Sequence, residues 1–332
     1  MLEPFAFGVL QTPVWWNLRR GAVVLDSALG FTRGVQANAG ERETMTEHVR
    51  ADAEALAIRG ADGVGASGVV VGAATDVGRL RTINEDGYLA IAPAFVVVDG
   101  MGGHAAGRMA TQVALDSLYS LAGTTVTDVE TVVRAVMAAQ EAIVAIPSHA
   151  AYLPGATIAG VVLAWMQDEH GATRPTWVIF NIGDARVYLL RDDMLSQVTR
   201  DHSRVQILVE TGEITPEQAR RDPRRNVVTR ALGGGIADSA VPDLYSVPVA
   251  AGDRLLVCSD GLSDELDDEA IATVLAAGYT AQRTAELLVA ASLEGGGHDN
   301  TTAVVVDSLQ VPTLLPEVHA SSSDGASTQG AQ

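Results

Sequence analysis

Three segments of the sequence share one design, in which an apolar run adjoins an acidic residue and a glycine-containing turn. They are residues 95–104 (FVVVDGMGGH), 255–261 (LLVCSDG) and 295–306 (GGGHDNTTAVVV). Runs of Val, Leu and Ile favour β-strands, and a strand end fixes its carboxylate while glycine lets other groups approach closely. Carboxylates that converge from three strand ends repel one another, and a hard divalent cation relieves that repulsion. The pattern predicts a β-rich core with a cation site at its strand ends.

Each Asp-Gly pair taken alone is also typical of an ordinary turn, and that interpretation is favoured for any single one of them. The repetition at three strand ends, with a fourth acidic position at residues 84–86 (NED), favours a shared site. The spacing of cysteines and histidines does not indicate zinc. Oxygen ligands around a hard cation are therefore the predicted chemistry.

Short β-rich runs and helical patterns recur between residues 69 and 307, where helical segments come in pairs. Strands are predicted at 69–71, 95–98, 158–166, 177–180, 187–190, 255–257 and 303–306, and helices at 107–121, 127–146, from 215, 267–277 and 280–292. Residues 127–130 (TDVE) have the pattern of a capping box that opens the second helix. Sheets covered by helix pairs define the α+β class.

The chain divides into three predicted parts. Residues 1–68 form an amino-terminal extension that is partly disordered, residues 69–308 form the globular domain, and residues 309–332, rich in Ser, Gly, Ala and Gln, form a flexible tail. The extension has two interpretations, a partner-binding arm or a segment without specific function, and the second is favoured.

Charge and composition exclude several classes of protein. The chain has 41 acidic and 22 basic residues, a net charge of -19, so nucleic acid and anionic membranes are disfavoured as partners. All of the basic residues are arginine, which excludes a Schiff-base lysine. The single cysteine, Cys258, allows no intrachain disulfide, and the sequence has no long apolar run typical of a membrane helix. A cytoplasmic location is expected.

Several short motifs occur in an order that resembles a known family. They are residues 76–86 (DVGRLRTINED), 99–104 (DGMGGH), 155–157 (GAT), 181–186 (NIGDAR), 199–203 (TRDHS), 259–262 (SDGL) and 299–302 (DNTT). The ordered set is similar to the metal-dependent protein phosphatases of type 2C, in their bacterial branch. The resemblance implies a four-layer αββα sandwich, in which two packed antiparallel sheets are flanked by helix pairs, and it makes residues 69–308 the phosphatase catalytic domain.

The resemblance also implies a set of site residues. Asp99 bridges two divalent cations, Mn²⁺ or Mg²⁺, and Asp260 and Asp299 complete the first cation site. The carbonyl of Gly100 and the carboxylate of Glu85, acting partly through water, serve the second. A third, weaker cation is held with the help of Asp184, and Arg81 grips the substrate phosphate. These roles complete the list of implied site residues.

The implied reaction is hydrolysis of phosphoserine and phosphothreonine in other proteins, with attack by a hydroxide that bridges the two cations. The expected partners are phosphorylated proteins, the targets of bacterial serine/threonine kinases, in signal transduction. There are two alternative functions. A catalytically inactive module that binds phosphoproteins is disfavoured because the four acidic ligand positions, Glu85, Asp99, Asp260 and Asp299, are all present. Hydrolysis of small phosphate esters stays open as a further activity.

Three features depart from the family or leave alternatives. Met101 follows Asp99-Gly100 where some members have a histidine, and His104 receives no role. Cys258 is interpreted as a buried small residue, since no arginine stands six positions after it as in cysteine phosphatases. Arginines cluster at residues 220–230, where docking of acidic substrate and local ion pairing are equally favoured.

Overall fold

The computed structural model describes residues 56–59, 68–103, 105–147, 153–236 and 241–312. Within those ranges the strands are β1 (Leu56–Arg59), β2 (Val69–Asp76), β3 (Asp86–Ile91), β4 (Ala94–Met101), β5 (Gly155–Gln167), β6 (Thr173–Ile182), β7 (Arg186–Arg191), β8 (Met194–Gln197), β9 (Leu232–Gly233), β10 (Asp243–Pro248), β11 (Arg254–Cys258) and β12 (Thr301–Ser308). The helices are α1 (Ala105–Leu118), α2 (Val129–Val144), α3 (Arg204–Glu210), α4 (Pro216–Ala219), α5 (Asp260–Ser263), α6 (Asp268–Ala276) and α7 (Ala281–Gly295).

These strands form two sheets. The first runs in the order β1-β3-β4-β5-β6-β10, with the short β9 paired to β5, and the second runs β2-β12-β11-β7-β8. All of the pairs are antiparallel except β1 with β3, which is parallel with Leu56 opposite Gly87. The predicted pair of antiparallel sheets is confirmed, and β1 adds one parallel pair at the edge of the first sheet. Residues 56–59 lie within the predicted amino-terminal extension, and here they lengthen the first sheet.

Alternation along the strands separates the apolar side chains into layers. In β4, Val97 joins a buried cluster between the two sheets, which also contains Trp177 and Val304. Its neighbour Val96 points the other way and packs under α1 and α2. On the far side of the second sheet, Leu256 packs with residues of α6 and α7. The predicted four-layer αββα sandwich is confirmed.

Helix starts follow ordinary capping chemistry, with one shift from the prediction. The cap of α2 is Asp128, whose side chain accepts a hydrogen bond from the backbone N–H of Thr131. The sequence pattern placed the cap one residue earlier, at Thr127, because Thr and Asp are both good caps and adjacent. In the ranges given above, no helix combines the length and apolar character needed to cross a membrane.

Candidate functional site

The predicted acidic residues lie at one end of the two packed sheets. Asp86 begins β3 and Asp99 is near the end of β4, and the antiparallel register places these two residues directly opposite each other. Asp99 has the same parity as Val97, so its side chain points toward the space between the sheets. Asp260 follows β11 and Asp299 precedes β12, which are paired neighbours in the second sheet. Four strand ends therefore deliver carboxylates to one region.

Asp86 joins the two sheets at this point. Its Oδ2 accepts hydrogen bonds from Ser259 Oγ and from Thr302 Oγ1, each at 2.7 Å. Ser259 Oγ in turn accepts from the backbone N–H of Thr302 at 3.0 Å. Asp86 Oδ1 accepts no hydrogen bond from the described residues, and the carboxylate of Asp99 stands opposite it. This network holds the ends of β11 and β12 beside β3 and β4.

Two glycines allow the start of α1 to pack against the end of β4. A Cβ on Gly100 would lie 2.4 Å from the carbonyl oxygen of Gly107, and a Cβ on Gly107 would lie 2.4 Å from Glu85 Oε1. Any larger residue at either position would force the helix away from the strand. Because only hydrogen fits there, the buried Glu85 carboxylate lies beside the Gly100 main chain. Those are the two groups assigned to the second cation site.

The loop of residues 77–85 carries Arg81 and Glu85, and Asn300 holds it in place. Asn300 Nδ2 donates to the carbonyl oxygens of Val77 and Ile83 at 2.9 and 3.0 Å. Asn300 Oδ1 accepts from the backbone N–H of Glu85 at 2.8 Å. All of the hydrogen bonds run to the backbone of one loop, and Asn300 is almost fully buried. One side chain thus fixes the loop relative to Asp299.

Asn300→Ala is expected to lower the free energy of unfolding by about 2–4 kcal/mol, because three buried backbone groups lose their partner. Amide hydrogen exchange across residues 77–85 is expected to accelerate more than exchange in β12, where the substitution lies next to the ladder. Chemical unfolding and exchange mass spectrometry measure the two effects. Wild-type protection of residues 77–85 in this variant would show that the clamp does not hold the loop.

The carboxylates of the acidic cluster repel one another, and this repulsion contributes to their raised pKa values. Burial first, and then the charges of Asp86 and Asp260, hold the pKa of Asp99 well above its usual range. The pKa of Asp260 is raised in the same way, by burial first and then by Asp184. Asp99 and Asp260 keep some accessible surface, so solvent reaches the cluster from one side. A cluster of this kind is stabilised by a cation brought in from that side.

Asp184 is the most enclosed of the predicted ligands, at 7% exposed against 8% for Glu85. Burial and then the charge of Asp201 raise its pKa to about 7. Behind it, Arg186 forms a bidentate ion pair with Asp201, with Nη2 to Oδ2 at 2.6 Å. The preceding Gly183 donates its N–H to His202 Nδ1 at 3.0 Å and accepts from the His202 N–H at 2.8 Å. Both backbone groups of Gly183 are therefore hydrogen-bonded to His202, which fixes the short turn that carries Asp184.

Arg81 lies at the open side of the cluster. Its Nη2 donates to Asp299 Oδ2 at 2.6 Å, and its side chain is 48% exposed against 26% for Asp299. The predicted phosphate-binding arginine and a predicted cation ligand are thus in direct contact. A guanidinium in this position presents its remaining N–H donors to solvent, where a planar oxyanion can meet them.

Three of the five arginines in residues 220–230, Arg224, Arg225 and Arg230, form ion pairs within the described protein. Arg224 binds Asp222 at 2.7 Å, and Arg225 binds Asp264 at 3.2 Å. Asp264 lies directly after α5, which begins with the predicted ligand Asp260. The contacts favour local ion pairing over docking for Arg224. For Arg225 they tie this segment to the edge of the acidic cluster.

The cysteine is not part of this chemistry. Cys258 is fully buried at the end of β11, among the side chains that pack under α6 and α7. Burial raises the pKa of its thiol to about 12. A thiol of that kind is not a nucleophile at neutral pH.

The donor set fits hard divalent cations. It consists of carboxylate oxygens and one backbone carbonyl, the ligands that Mg²⁺ and Mn²⁺ prefer. As the side chains stand in the described ranges, no three acidic, histidine or cysteine residues gather their donor atoms tightly around one point. The side chains are nevertheless close enough to raise one another's pKa, and Asp299 is turned toward Arg81.

Five residues contribute to the site without having been assigned a role from sequence: Asp86, Ser259, Asp264, Asn300 and Thr302. All of them stand inside or next to motifs that the sequence analysis singled out. Their contribution is a hydrogen bond or an ion pair with a partner that is distant in sequence. Met101 lies opposite Gly155 on β5, whereas His104 lies outside the described residues.

The raised pKa values predict how pH changes the stability of the cation-free protein. The pKa of Asp86 is about 6 and that of Asp184 about 7, both above the ordinary 3.8. Between the ordinary carboxyl pKa and these raised values, the folded protein binds protons that the unfolded chain has already lost. The free energy of unfolding therefore falls as pH rises through this window. In EDTA, lowering the pH from about 8 to about 5 is expected to raise the melting temperature of wild type relative to Asp184→Asn. An unchanged difference between the two proteins would contradict the assignment of Asp184 as a group with a raised pKa.

Comparison with known proteins agrees with the fold and identifies the family. The sequence model described as "Protein phosphatase 2C" matches residues 82–295, which contain Glu85, Asp99, Gly100, Asp184 and Asp260 and end just before Asp299. The chain belongs to the protein phosphatase 2C family, the bacterial metal-dependent phosphatases that the motif order indicated.

Relatives in other bacteria are similar over most of the described domain. The serine/threonine protein phosphatase PstP of Mycobacterium tuberculosis is 39% identical over 240 residues, which are 71% of this chain and 44% of that protein. The match therefore spans less than half of PstP. The serine/threonine phosphatase stp of Listeria innocua is 33% identical over 246 residues, 70% of this chain and 93% of that protein.

Solved structures show the same architecture. The crystal structure of M. tuberculosis PstP has a TM-score of 0.65 at 37% identity, covering 72% of this chain and 98% of that one. The PstP catalytic domain in complex with two manganese ions has a TM-score of 0.62 at 36% identity, covering 72% and 97%. The architecture of this chain is thus similar to that of a catalytic domain solved with two manganese ions.

Proposed function

We propose that this protein hydrolyses phosphoserine and phosphothreonine in other proteins with the help of two divalent cations. The observation that carries the proposal is the meeting of Asp99, Asp260 and Asp299 at the ends of β4, β11 and β12, beside an exposed arginine. Buried like charges without cations destabilise a fold, so their presence is explained by a function. The family and its named serine/threonine phosphatases support this choice.

Each residue has a role that follows from its position. Asp99 stands between the two sheets and serves both cations. Asp260 and Asp299 complete the first cation site, and Glu85 with the Gly100 carbonyl the second. When bound, the two cations supply a nucleophile at neutral pH and offset negative charge on the phosphoryl group. Asp184, set apart behind its fixed turn, helps to hold a third and weaker cation.

Arg81 binds the substrate phosphate. A planar guanidinium matches two phosphoryl oxygens at once, and the half-exposed position of Arg81 leaves donors on its open side. It also offsets charge that grows on those oxygens in the transition state. Asn300 acts indirectly, because it holds the loop of residues 77–85 against the acidic cluster.

The proposed substrates are phosphorylated proteins, the targets of bacterial serine/threonine kinases, and the proposed location is the cytoplasm. Phosphoproteins fit because the site is open at the strand ends, where solvent reaches Asp99 and Arg81. The single buried Cys258 fits a reducing compartment. Nucleic acid and membranes are not expected as partners of a chain with a net charge of -19.

Phosphate release from a phosphothreonine peptide tests the proposal. Release is expected with Mn²⁺ and with Mg²⁺ and is expected to stop in excess EDTA. Circular dichroism confirms that the protein is folded in every condition. A folded protein that releases no phosphate with either cation would favour the inactive phosphoprotein-binding module instead.

A further inference from the structure

Arg79 has an unusual place among the arginines of this acidic protein. Most described arginines are ion-paired with a carboxylate, among them Arg174, Arg186, Arg191, Arg200, Arg254 and Arg283. The side chain of Arg79 is exposed and makes no hydrogen bond or ion pair with another described residue. An uncompensated cation on such a chain is available to an anion from outside.

The backbone of Arg79 is anchored on the rim of the acidic site. Its N–H donates to the carbonyl oxygen of Gly297 at 2.7 Å. Its side-chain stem covers Gly297, where a Cβ would meet Arg79 Cγ at 3.1 Å. Arg81, two residues on, contacts Asp299, two residues beyond Gly297. The two arginines therefore stand side by side along the same two segments of chain.

One acidic residue of this rim, Glu265, is engaged with His298. Glu265 Oε1 lies 2.6 Å from His298 Nδ1 and also accepts from the His298 backbone N–H at 3.2 Å. The carboxylate of Glu265 is therefore bound to His298 in the turn of residues 295–299. It forms no described ion pair with Arg79. The exposed Arg79 guanidinium is therefore available to an anion of a bound molecule.

We propose that Arg79 forms a second anion subsite, which binds an acidic group next to the phosphorylated residue of the substrate. The inference rests on the proposed function, because it takes Arg81 as the group that binds the scissile phosphate. The two arginines are separated by one residue, so the second anion belongs to a residue close to the first in the substrate. A carboxylate and a second phosphate share the required chemistry.

Three phosphothreonine peptides that differ only in one flanking residue test the subsite. The flank is neutral glutamine, glutamate or phosphoserine, and mass spectrometry follows loss of the phosphothreonine phosphate. Arg79→Ala is expected to reduce kcat/KM for one or both acidic-flank peptides by about threefold to fivefold, the size of an exposed ion pair. Turnover of the neutral peptide is expected to stay at the wild-type level.

Arg204→Ala is the matched control, because Arg204 is also exposed and has no described partner but begins α3. It is expected to leave all three peptides unaffected. Arg79→Glu is expected to reverse the preference, and added salt is expected to weaken the wild-type preference. Loss confined to the phosphoserine flank identifies a second phosphate as the ligand, and loss confined to glutamate identifies a carboxylate.

Two results would overturn the subsite. Equal loss on all three peptides would make Arg79 part of the general site, and no loss on either acidic peptide would leave it without a ligand. Both results leave metal-dependent turnover of the neutral peptide intact. A folded wild-type protein that turns over none of the peptides would overturn the proposed function and the subsite with it.

Discussion

Replacing Asp99 by Asn is expected to reduce metal-dependent phosphate release by about a thousandfold or more, because the shared ligand of both cations is lost. The fold is expected to survive. Burial and the neighbouring carboxylates hold the pKa of Asp99 well above its usual range, so the charged side chain costs stability when cations are absent. In EDTA, Asp99→Asn should therefore melt at or above the temperature of wild type.

Asp253→Asn provides the matched control. Asp253 is also buried, but it accepts from Trp177 Nε1 at 2.9 Å and pairs with Arg191 at 2.6 Å, far along the sheets from the acidic cluster. Its substitution is expected to lower the free energy of unfolding by about 3 kcal/mol and to leave turnover largely intact. Asp99→Asn should lose phosphate release and keep its melting temperature in EDTA. Asp253→Asn should keep phosphate release and melt at a lower temperature. Retained turnover in Asp99→Asn would contradict the assignment of Asp99 as the shared ligand.

Replacing Arg81 by Ala is expected to reduce kcat/KM by about a hundredfold, the value of two charge-assisted hydrogen bonds to phosphate. Cation binding is expected to persist, because the variant frees the Asp299 carboxylate from its ion pair. Arg81→Lys keeps the charge without the planar fork, so it should recover only part of the loss.

Steady-state kinetics and calorimetric titration with Mn²⁺ separate the two functions of this position. A wild-type kcat/KM in Arg81→Ala would remove Arg81 from phosphate binding. A loss of Mn²⁺ affinity would show instead that its contact with Asp299 supports the cation site. Arg204→Ala, which removes an exposed arginine and leaves the Arg81–Asp299 pair in place, is the control for a general change in charge.

The fold was predictable where apolar runs were long and regular. The cores of β4, β5, β11 and β12 carry continuous Val, Leu and Ile, and the structure places strands there. Five strands were missed, β1, β3, β8, β9 and β10, three of them for clear physical reasons. β3 begins with Asp86-Gly87, β8 has only four residues, and β10 lies at a sheet edge with a partly exposed pattern that ends in Pro248. Their pairing with neighbours, not their composition, makes them strands.

The candidate site was predictable as a set of acidic residues, because each one stands near a strand end and within two positions of a glycine. The contacts that arrange the set were not. Asn300 binds backbone groups more than two hundred positions away, and Asp86 binds hydroxyls of the opposite sheet. Sequence shows that such residues are polar and near a motif, but their partners are known only once the sheets are packed. The division of the chain at residues 68 and 309 stays a prediction.

The most direct test of the account is anomalous diffraction at the manganese edge from crystals of the wild-type protein grown with Mn²⁺. The account predicts two strong peaks at the strand ends, both within bonding reach of Asp99, one also of Asp260 and Asp299 and the other of the Gly100 carbonyl. A single weak peak beside Asp184 is compatible with this result. Absence of any peak at Asp99 in a crystal that binds manganese elsewhere would contradict the assignment of this cluster as the metal centre.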